Sequence, residues 1–305
     1  MQFRLVTCAI AVSSESAIDA TDGRKTYSRL GTFAFLFLCA IGTGIAPLAG
    51  GKSPIVGLIA EFIVAGIFLA ASITSRRSLR WQRFHDVFFA YFVFSMVITL
   101  RSLGIGLVSL GYDPSLILGQ ALIAIVDFLA TVVTVVVLVK VSGRRLSSVY
   151  LQKGNLRLGL KVGIPALLIL LFCIVAAFQV LYAGPHGISF SKVLSFLPLI
   201  LFAVALNAPK EELWYRGLTI GRYQPLLGLR LSNLLQTTIF TTGHVEPQWI
   251  QFGVPFLIIF LVFVFVGGMG FGLIVQRTNS LIGSSLAHAG ADIGVFLLLL
   301  SPFIK

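Results

Sequence analysis

The sequence predicts an all-α protein, a polytopic bundle of about eight or nine transmembrane helices. Of its 305 residues, 57% are hydrophobic and only 11% are charged, and the mean hydropathy is +0.98. A soluble domain of this size cannot bury so much apolar surface. The apolar runs are long and do not alternate with polar residues, which argues against a membrane-spanning β-barrel.

Nine apolar stretches have the length and composition expected of membrane helices. A polar N-terminal tail (1–28) precedes them. A basic loop around 140–161 separates four stretches without a recognised motif (29–160) from five that carry polar motifs (161–305). The seventh stretch is short, so its full crossing is left open. The nine are 30–46, 54–74, 84–104, 115–139, 162–183, 193–217, 231–246, 253–275 and 281–303.

The positively charged residues predict the orientation of the bundle. With a cytoplasmic N-terminus, 17 of the 23 lysines and arginines lie on the inner side, four on the outer side and two within a span. This imbalance is typical of a multi-pass protein of the cell membrane. It also accounts for the net charge of +12 without a nucleic-acid partner.

The sixth stretch ends in the charged motif Lys210–Gly217, which contains two adjacent glutamates and an arginine. Charged residues inside a membrane helix are costly, so they indicate a function. Glu212 and Arg216 are four residues apart and share a helical face, where they can form an ion pair. Glu211 is turned by about 100° from Glu212 in an α-helix and is left free for chemistry.

Two histidines lie at membrane depth in the later stretches. His244 ends the seventh stretch, and His288 lies in the ninth, four residues before Asp292 and on the same helical face. A single intramembrane histidine most often joins two helices by a hydrogen bond. Together with the glutamate pair, however, these residues predict one polar cavity that opens towards the inner side.

Three further features receive structural interpretations. Asp127 and Glu61 could each line the cavity, but each is expected to be an isolated acid with a polar neighbour on another helix. The glycines of 267–272 are expected to let two helices pack closely.

Three motifs in order carry a resemblance to a known family. They are Glu-Glu-x-x-x-Arg at 211–216, Phe-x-x-x-His at 240–244 and His-x-x-x-Asp at 288–292. The chain over about 190–303 resembles the CAAX protease and bacteriocin-processing enzyme family, which includes the Abi proteins and the Ras-converting type of CAAX endopeptidase. The family has Asn or Asp at the last position, which is Asp292 here.

The resemblance implies an intramembrane endopeptidase. Members of this family are classed as metalloproteases. Glu211 would be the general base that activates water, and His244 and His288 would hold that water or a metal, or stabilise the oxyanion. Asp292 would orient His288 or complete the metal shell. Glu212, Arg216 and Phe240 would support these residues.

The implied substrate is a membrane-anchored protein or peptide within the lipid bilayer. A prenylated CAAX tail, a bacteriocin leader and a membrane regulator are all open. The alternative function is non-enzymatic: a polar cavity with these residues also suits a membrane transporter, a proton relay or a scaffold that binds a partner.

A cofactor is predicted only as one of two options. Two histidines and a carboxylate form a recognised zinc set, so His244, His288 and Asp292 could bind zinc or another divalent metal. In the other option the mechanism is metal-free, and Asp292 only buttresses His288. The spacing of His288 and Asp292 suits both.

Overall fold

The computed structural model describes residues 28–50, 53–113, 116–181, 190–245 and 253–299, and no β-strand occurs among them. The predicted tail therefore lies outside the described residues except for Ser28, as do the ends of four predicted spans at 115, 182–183, 246 and 300–303. The helices are α1 (28–45), α2 (Pro54–Arg76), α3 (His85–Gly111), α4 (Ile117–Val141), α5 (Leu156–Leu181), α6 (Phe190–Glu211), α7 (Leu218–Thr242), α8 (Val254–Thr278) and α9 (Ile282–Leu299).

The predicted all-α membrane bundle is confirmed. In the described part of the chain, seven helices are long and apolar enough to cross a membrane, and α9 contains a shorter apolar helix, Ile282–Leu297. One of the seven, Val193–Thr242, covers both the sixth and the seventh predicted spans. The protein is thus an integral multi-pass membrane protein.

The predicted loop between the sixth and seventh spans is helical instead. The chain continues from α6 through a π-helix, Glu212–Gly217, directly into α7. The interruption comes only at Gly228, whose φ of 78° and ψ of 176° are not helical. Glycine tolerates this positive φ because it has no Cβ, so the two predicted spans meet at a bend rather than a loop.

Close helix packing brings α9 and α8 against their neighbours. A Cβ on Gly290 of α9 would lie 2.2 Å from the carbonyl oxygen of Leu167 on α5. A Cβ on Gly272 of α8 would lie 1.8 Å from Asn233 Oδ1 on α7. Small residues permit such approaches in membranes, and Gly272 does what was predicted of the 267–272 glycines.

The N-terminal helices pack against the π-helix and α7. The ring of Phe94 on α3 lies 4.7 Å from that of Trp214 in the π-helix. The Tyr223 hydroxyl of α7 donates a hydrogen bond of 2.9 Å to the Tyr91 hydroxyl of α3. The helices without recognised motifs therefore form one wall around the charged motif.

Contacts between loops agree with the predicted orientation. The loop after α4 meets the turn between α8 and α9, where the Asn155 backbone N–H donates to the Thr278 carbonyl at 2.7 Å. Arg144 of the same loop pairs with Asp86 at the start of α3. These three loops thus lie at one end of the bundle, as expected if all three are cytoplasmic.

The orientation itself is a testable prediction. Reporter fusions after Gly143 and after Arg277 should both report a cytoplasmic position, because Gly143 lies in the basic loop and Arg277 ends α8 at the turn that contacts this loop. A fusion at the C-terminus should report an external position. A cytoplasmic C-terminus would contradict the nine-span count and would make the chain after Gly228 a re-entrant segment.

Candidate active site

The charged motif lies where the regular helix changes its winding. Glu211 is the last residue of α6, and Glu212–Gly217 form the π-helix, with all six residues buried. Pro209 precedes the motif and cannot donate the backbone hydrogen bond of an α-helix. π-helical turns are rare and occur often at functional sites. The wider turn is a feature that the residue spacing did not predict.

Glu212 and Arg216 form the predicted ion pair. Arg216 Nη1 lies 2.9 Å from Glu212 Oε1, and both side chains are 0% exposed. The guanidinium carbon of Arg216 also lies 3.9 Å from the ring centroid of Phe240 and 5.4 Å from that of Phe271. Arg216 is therefore enclosed by one carboxylate and two aromatic rings, which suits a structural role.

His288 is held between carboxylates. Its Nδ1 lies 2.9 Å from Glu212 Oε1, and its Nε2 lies 3.4 Å from Asp292 Oδ1 and 3.7 Å from Glu211 Oε2. Because an ionised carboxylate can only accept a hydrogen bond, Nδ1 of His288 carries a proton and donates a hydrogen bond to Glu212. The ring of Phe271 stacks on the imidazole at 5.0 Å. Glu212 therefore orients His288 as well as neutralising Arg216.

Asp292 is itself oriented by α6. Asn207 Nδ2 donates a hydrogen bond of 3.1 Å to Asp292 Oδ2. Sequence reasoning missed Asn207, although an amide in the apolar run four residues before Glu211 was an available signal. The predicted His288 and Asp292 thus meet both glutamates and α6 in one cluster.

His244 reaches the same cluster through Phe240. Its Nδ1 donates to the Phe240 carbonyl oxygen at 2.8 Å, and its ring meets that of Phe240 edge-on at 4.4 Å. Phe240 also meets the His288 ring edge-on at 5.7 Å. The predicted supporting residue Phe240 therefore contacts both histidines, and the Arg216 guanidinium lies over its ring.

These side chains line a cavity of about 560 Å³. Glu211, whose side chain is 17% exposed, His244, His288 and Asp292 all face it. Ligand-binding pockets in proteins measure about 300–1,000 Å³, so this cavity is large enough to hold part of a substrate. The described structure thus combines a carboxylate, two imidazoles and a second carboxylate around one space, the combination needed to activate water.

The cavity has a second charged wall, which corrects one expectation. Asp127 of α4 was expected to be an isolated acid with a polar neighbour, but it lines the cavity and pairs with two cations. Lys210 Nζ lies 2.5 Å from Asp127 Oδ2, and Arg101 of α3 pairs with the same carboxylate. Glu61 behaves as expected, since it accepts a hydrogen bond of 2.9 Å from Ser102 on another helix.

Arg101 was missed for a definable reason. The third span was predicted to end at 104, which put Arg101 near the outer surface. The observed α3 continues to Gly111, so Arg101 lies inside the helix. Its partner Asp127 supplies the charge that makes this position tolerable in a membrane.

The predicted metal ligands do not form a metal-binding set. Within the described ranges, no group of three His, Cys, Asp or Glu side chains is arranged to hold a metal ion. The Nδ1 atoms of His244 and His288 are engaged by the Phe240 carbonyl and by Glu212, so only the Nε2 atoms could serve as metal ligands. Metal binding therefore stays a prediction.

In comparisons with known proteins, one family model matches the part of the chain that carries the motifs. The family model described as type II CAAX prenyl endopeptidase Rce1-like matches residues 193–294. This match confirms the resemblance predicted from the three motifs. No curated protein and no solved structure matches the chain.

Proposed function

Because residues 193–294 belong to the type II CAAX prenyl endopeptidase Rce1-like family, we propose that the protein is an intramembrane endopeptidase in which Glu211 activates the attacking water. The observation that carries this proposal is the position of Glu211. Its carboxylate faces the cavity, with Oε2 3.7 Å from His288 Nε2. The neighbouring Glu212 instead pairs with both Arg216 and His288. The division between a free and a committed glutamate is what a general base requires.

The reaction follows from these contacts. Glu211 takes one proton from water as the water oxygen bonds to the peptide carbonyl carbon, and the carbonyl electron pair moves to its oxygen. The oxyanion then re-forms the double bond, the C–N bond breaks, and the leaving amine takes the proton from Glu211. His288, held by Glu212 and Asp292, keeps Glu211 and the water in position.

The substrate is a membrane-anchored protein or peptide. Its apolar part would meet the wall of the cavity formed by Phe260, Phe263 and Val264 of α8. The opposite face of α8 is exposed at Ile258, Ile259 and Val262, as expected of a helix in contact with lipid. A substrate held in the bilayer by a prenyl group or an apolar segment could therefore approach along α8.

The test is a cleavage assay with purified protein in proteoliposomes. Farnesylated and unmodified peptides of one sequence, each anchored to the membrane, are incubated with wild type and with Glu211→Ala. We expect a mass-defined cut product with wild type only. Ion flux through the proteoliposomes without any cut product would overturn the proposal in favour of a transporter.

The choice between a metal-free and a metal-dependent mechanism is a separate prediction. Since the described residues do not gather three metal ligands, we expect protein treated with a chelator to keep its activity, as in the metal-free option. Elemental analysis and the cleavage assay are run on the same sample. About one zinc per chain, lost with activity in His288→Ala, would contradict this and support the set His244, His288 and Asp292.

A further inference from the structure

We propose that Arg101, supplied by α3 outside the family-matched segment, is a catalytic residue that donates to the substrate carbonyl oxygen and stabilises its negative charge. This inference rests on the proposed endopeptidase function. It concerns the second charged wall of the cavity, formed by Arg101, Asp127 and Lys210, which the three sequence motifs do not include.

Water attack on a peptide bond creates an oxyanion, which needs a hydrogen-bond donor. His288 cannot readily be that donor, because Nδ1 is bound to Glu212 and Nε2 faces the carboxylates of Asp292 and Glu211. His244 donates through Nδ1 to the Phe240 carbonyl, so its neutral form has an unprotonated Nε2 that can only accept. Both histidines are thus better suited to hold water than to bind an oxyanion.

Arg101 has an N–H group that is not bound to Asp127, and its guanidinium is held in place. A guanidinium carries five N–H protons. Asp127 engages Nε and Nη2 of Arg101, which leaves Nη1 for another acceptor within the described structure. The guanidinium carbon also lies 5.0 Å from the ring centroid of Trp214, three residues after Glu211. Such fixing before the reaction is what gives an oxyanion donor its effect.

The other donors on this wall are less suited. Both side chains line the cavity, but that of Lys210 is only 6% exposed and its Nζ lies 2.5 Å from Asp127, whereas that of Arg101 is 29% exposed. The Trp214 Nε1–H is buried without a hydrogen-bond partner, but it is uncharged. Lys210 and Asp127 are therefore assigned as positioning residues, which hold the guanidinium and the adjacent Glu211.

The movement of charge during the reaction favours the same assignment. Arg101 and Lys210 share the single carboxylate of Asp127, so this wall carries one positive charge in excess, which the nearby Glu211 balances in the resting site. When Glu211 accepts the proton from water, its negative charge disappears and one negative charge appears on the carbonyl oxygen. The total charge of the cavity is unchanged, so the cation that balanced the glutamate is available to balance the oxyanion.

The test compares catalysis with binding of a transition-state mimic. In Arg101→Gln we expect kcat for the farnesylated peptide to fall by about 100- to 1,000-fold, with little change in KM. A trifluoromethyl ketone analogue of that peptide, which hydrates to a tetrahedral diol, should bind more weakly by a similar factor. A non-hydrolysable analogue with a planar amide isostere should bind as it does to wild type.

Two further variants guard against a merely structural effect. Arg101→Lys should keep part of the activity, and neither variant should lower the unfolding temperature much, because Lys210 still pairs with Asp127. Arg144→Gln is the matched control, since Arg144 also pairs with an aspartate, Asp86, away from the cavity. It should cleave like wild type.

The outcomes separate this inference from the proposed function. A wild type that cuts none of the peptides refutes the endopeptidase itself. A wild type that cuts, with Arg101→Gln within about threefold of it in kcat, refutes only the role of Arg101. Equal weakening of the ketone and the amide isostere would make Arg101 a substrate-binding residue and would also overturn the inference.

Discussion

Glu211→Gln is expected to abolish peptide cleavage while leaving membrane insertion and thermal stability nearly unchanged. Glutamine has the shape of glutamate but cannot accept the proton of the attacking water, and loss of a general base costs about 10²- to 10⁴-fold in rate. Stability should survive because Glu211 is partly exposed and its contact with His288 Nε2 is long, at 3.7 Å. The measurements are product formation by mass spectrometry and the unfolding temperature in detergent.

Glu61→Gln is the matched control for this variant. Glu61 is also a glutamate buried in a membrane helix, but it accepts a hydrogen bond from Ser102 and does not line the cavity. It should cleave at the wild-type rate. Substantial cleavage by Glu211→Gln, or equal loss in both variants, would remove Glu211 from the role of base.

Glu212→Gln is expected to lower stability by about 3–5 kcal/mol, the cost of removing one partner from a buried ion pair. Arg216 is 0% exposed and would keep its charge without the carboxylate that neutralises it. Cleavage should fall as well, because His288 loses a charged acceptor at Nδ1. Equilibrium unfolding in detergent measures the first effect, and the peptide assay measures the second.

The double variant Glu212→Gln with Arg216→Gln separates these two effects. Removing the arginine removes the uncompensated charge, so part of the stability should return. Cleavage should not return with it, since His288 still lacks its carboxylate partner. If Glu211→Gln and Glu212→Gln instead behave alike in both assays, the two glutamates do not have separate tasks.

The sequence was a good guide where a contact depends on helical spacing. Glu212 with Arg216, and His288 with Asp292, are both four residues apart, and both pairs meet in the structure. An α-helix places such residues on one face whatever surrounds it, and the wider π-helical turn still keeps Glu212 and Arg216 close enough to pair. The apolar runs likewise predicted the membrane bundle, because apolar surface of that extent needs lipid around it.

Spacing was a poor guide where the contact joins different helices. The expectation that Asp127 is an isolated acid was wrong, because Arg101 of α3 and Lys210 of α6 both pair with it. No period along the chain relates residues 101, 127 and 210. Their meeting depends on how far α3 extends and on how the helices pack around the π-helix.

By itself the sequence determined the class of fold, the three motifs and the candidates Glu211, His244, His288 and Asp292. Only the tertiary structure decided that Glu212 holds Nδ1 of His288 and that Arg101 faces the cavity. The physical reason is that both depend on residues from different helices, which meet only through the packing of α3, α4 and α9 around the π-helix. Close approaches at two glycines are part of that packing. The close approach at Gly290 places α9 against α5, and that at Gly272 places α8 against α7.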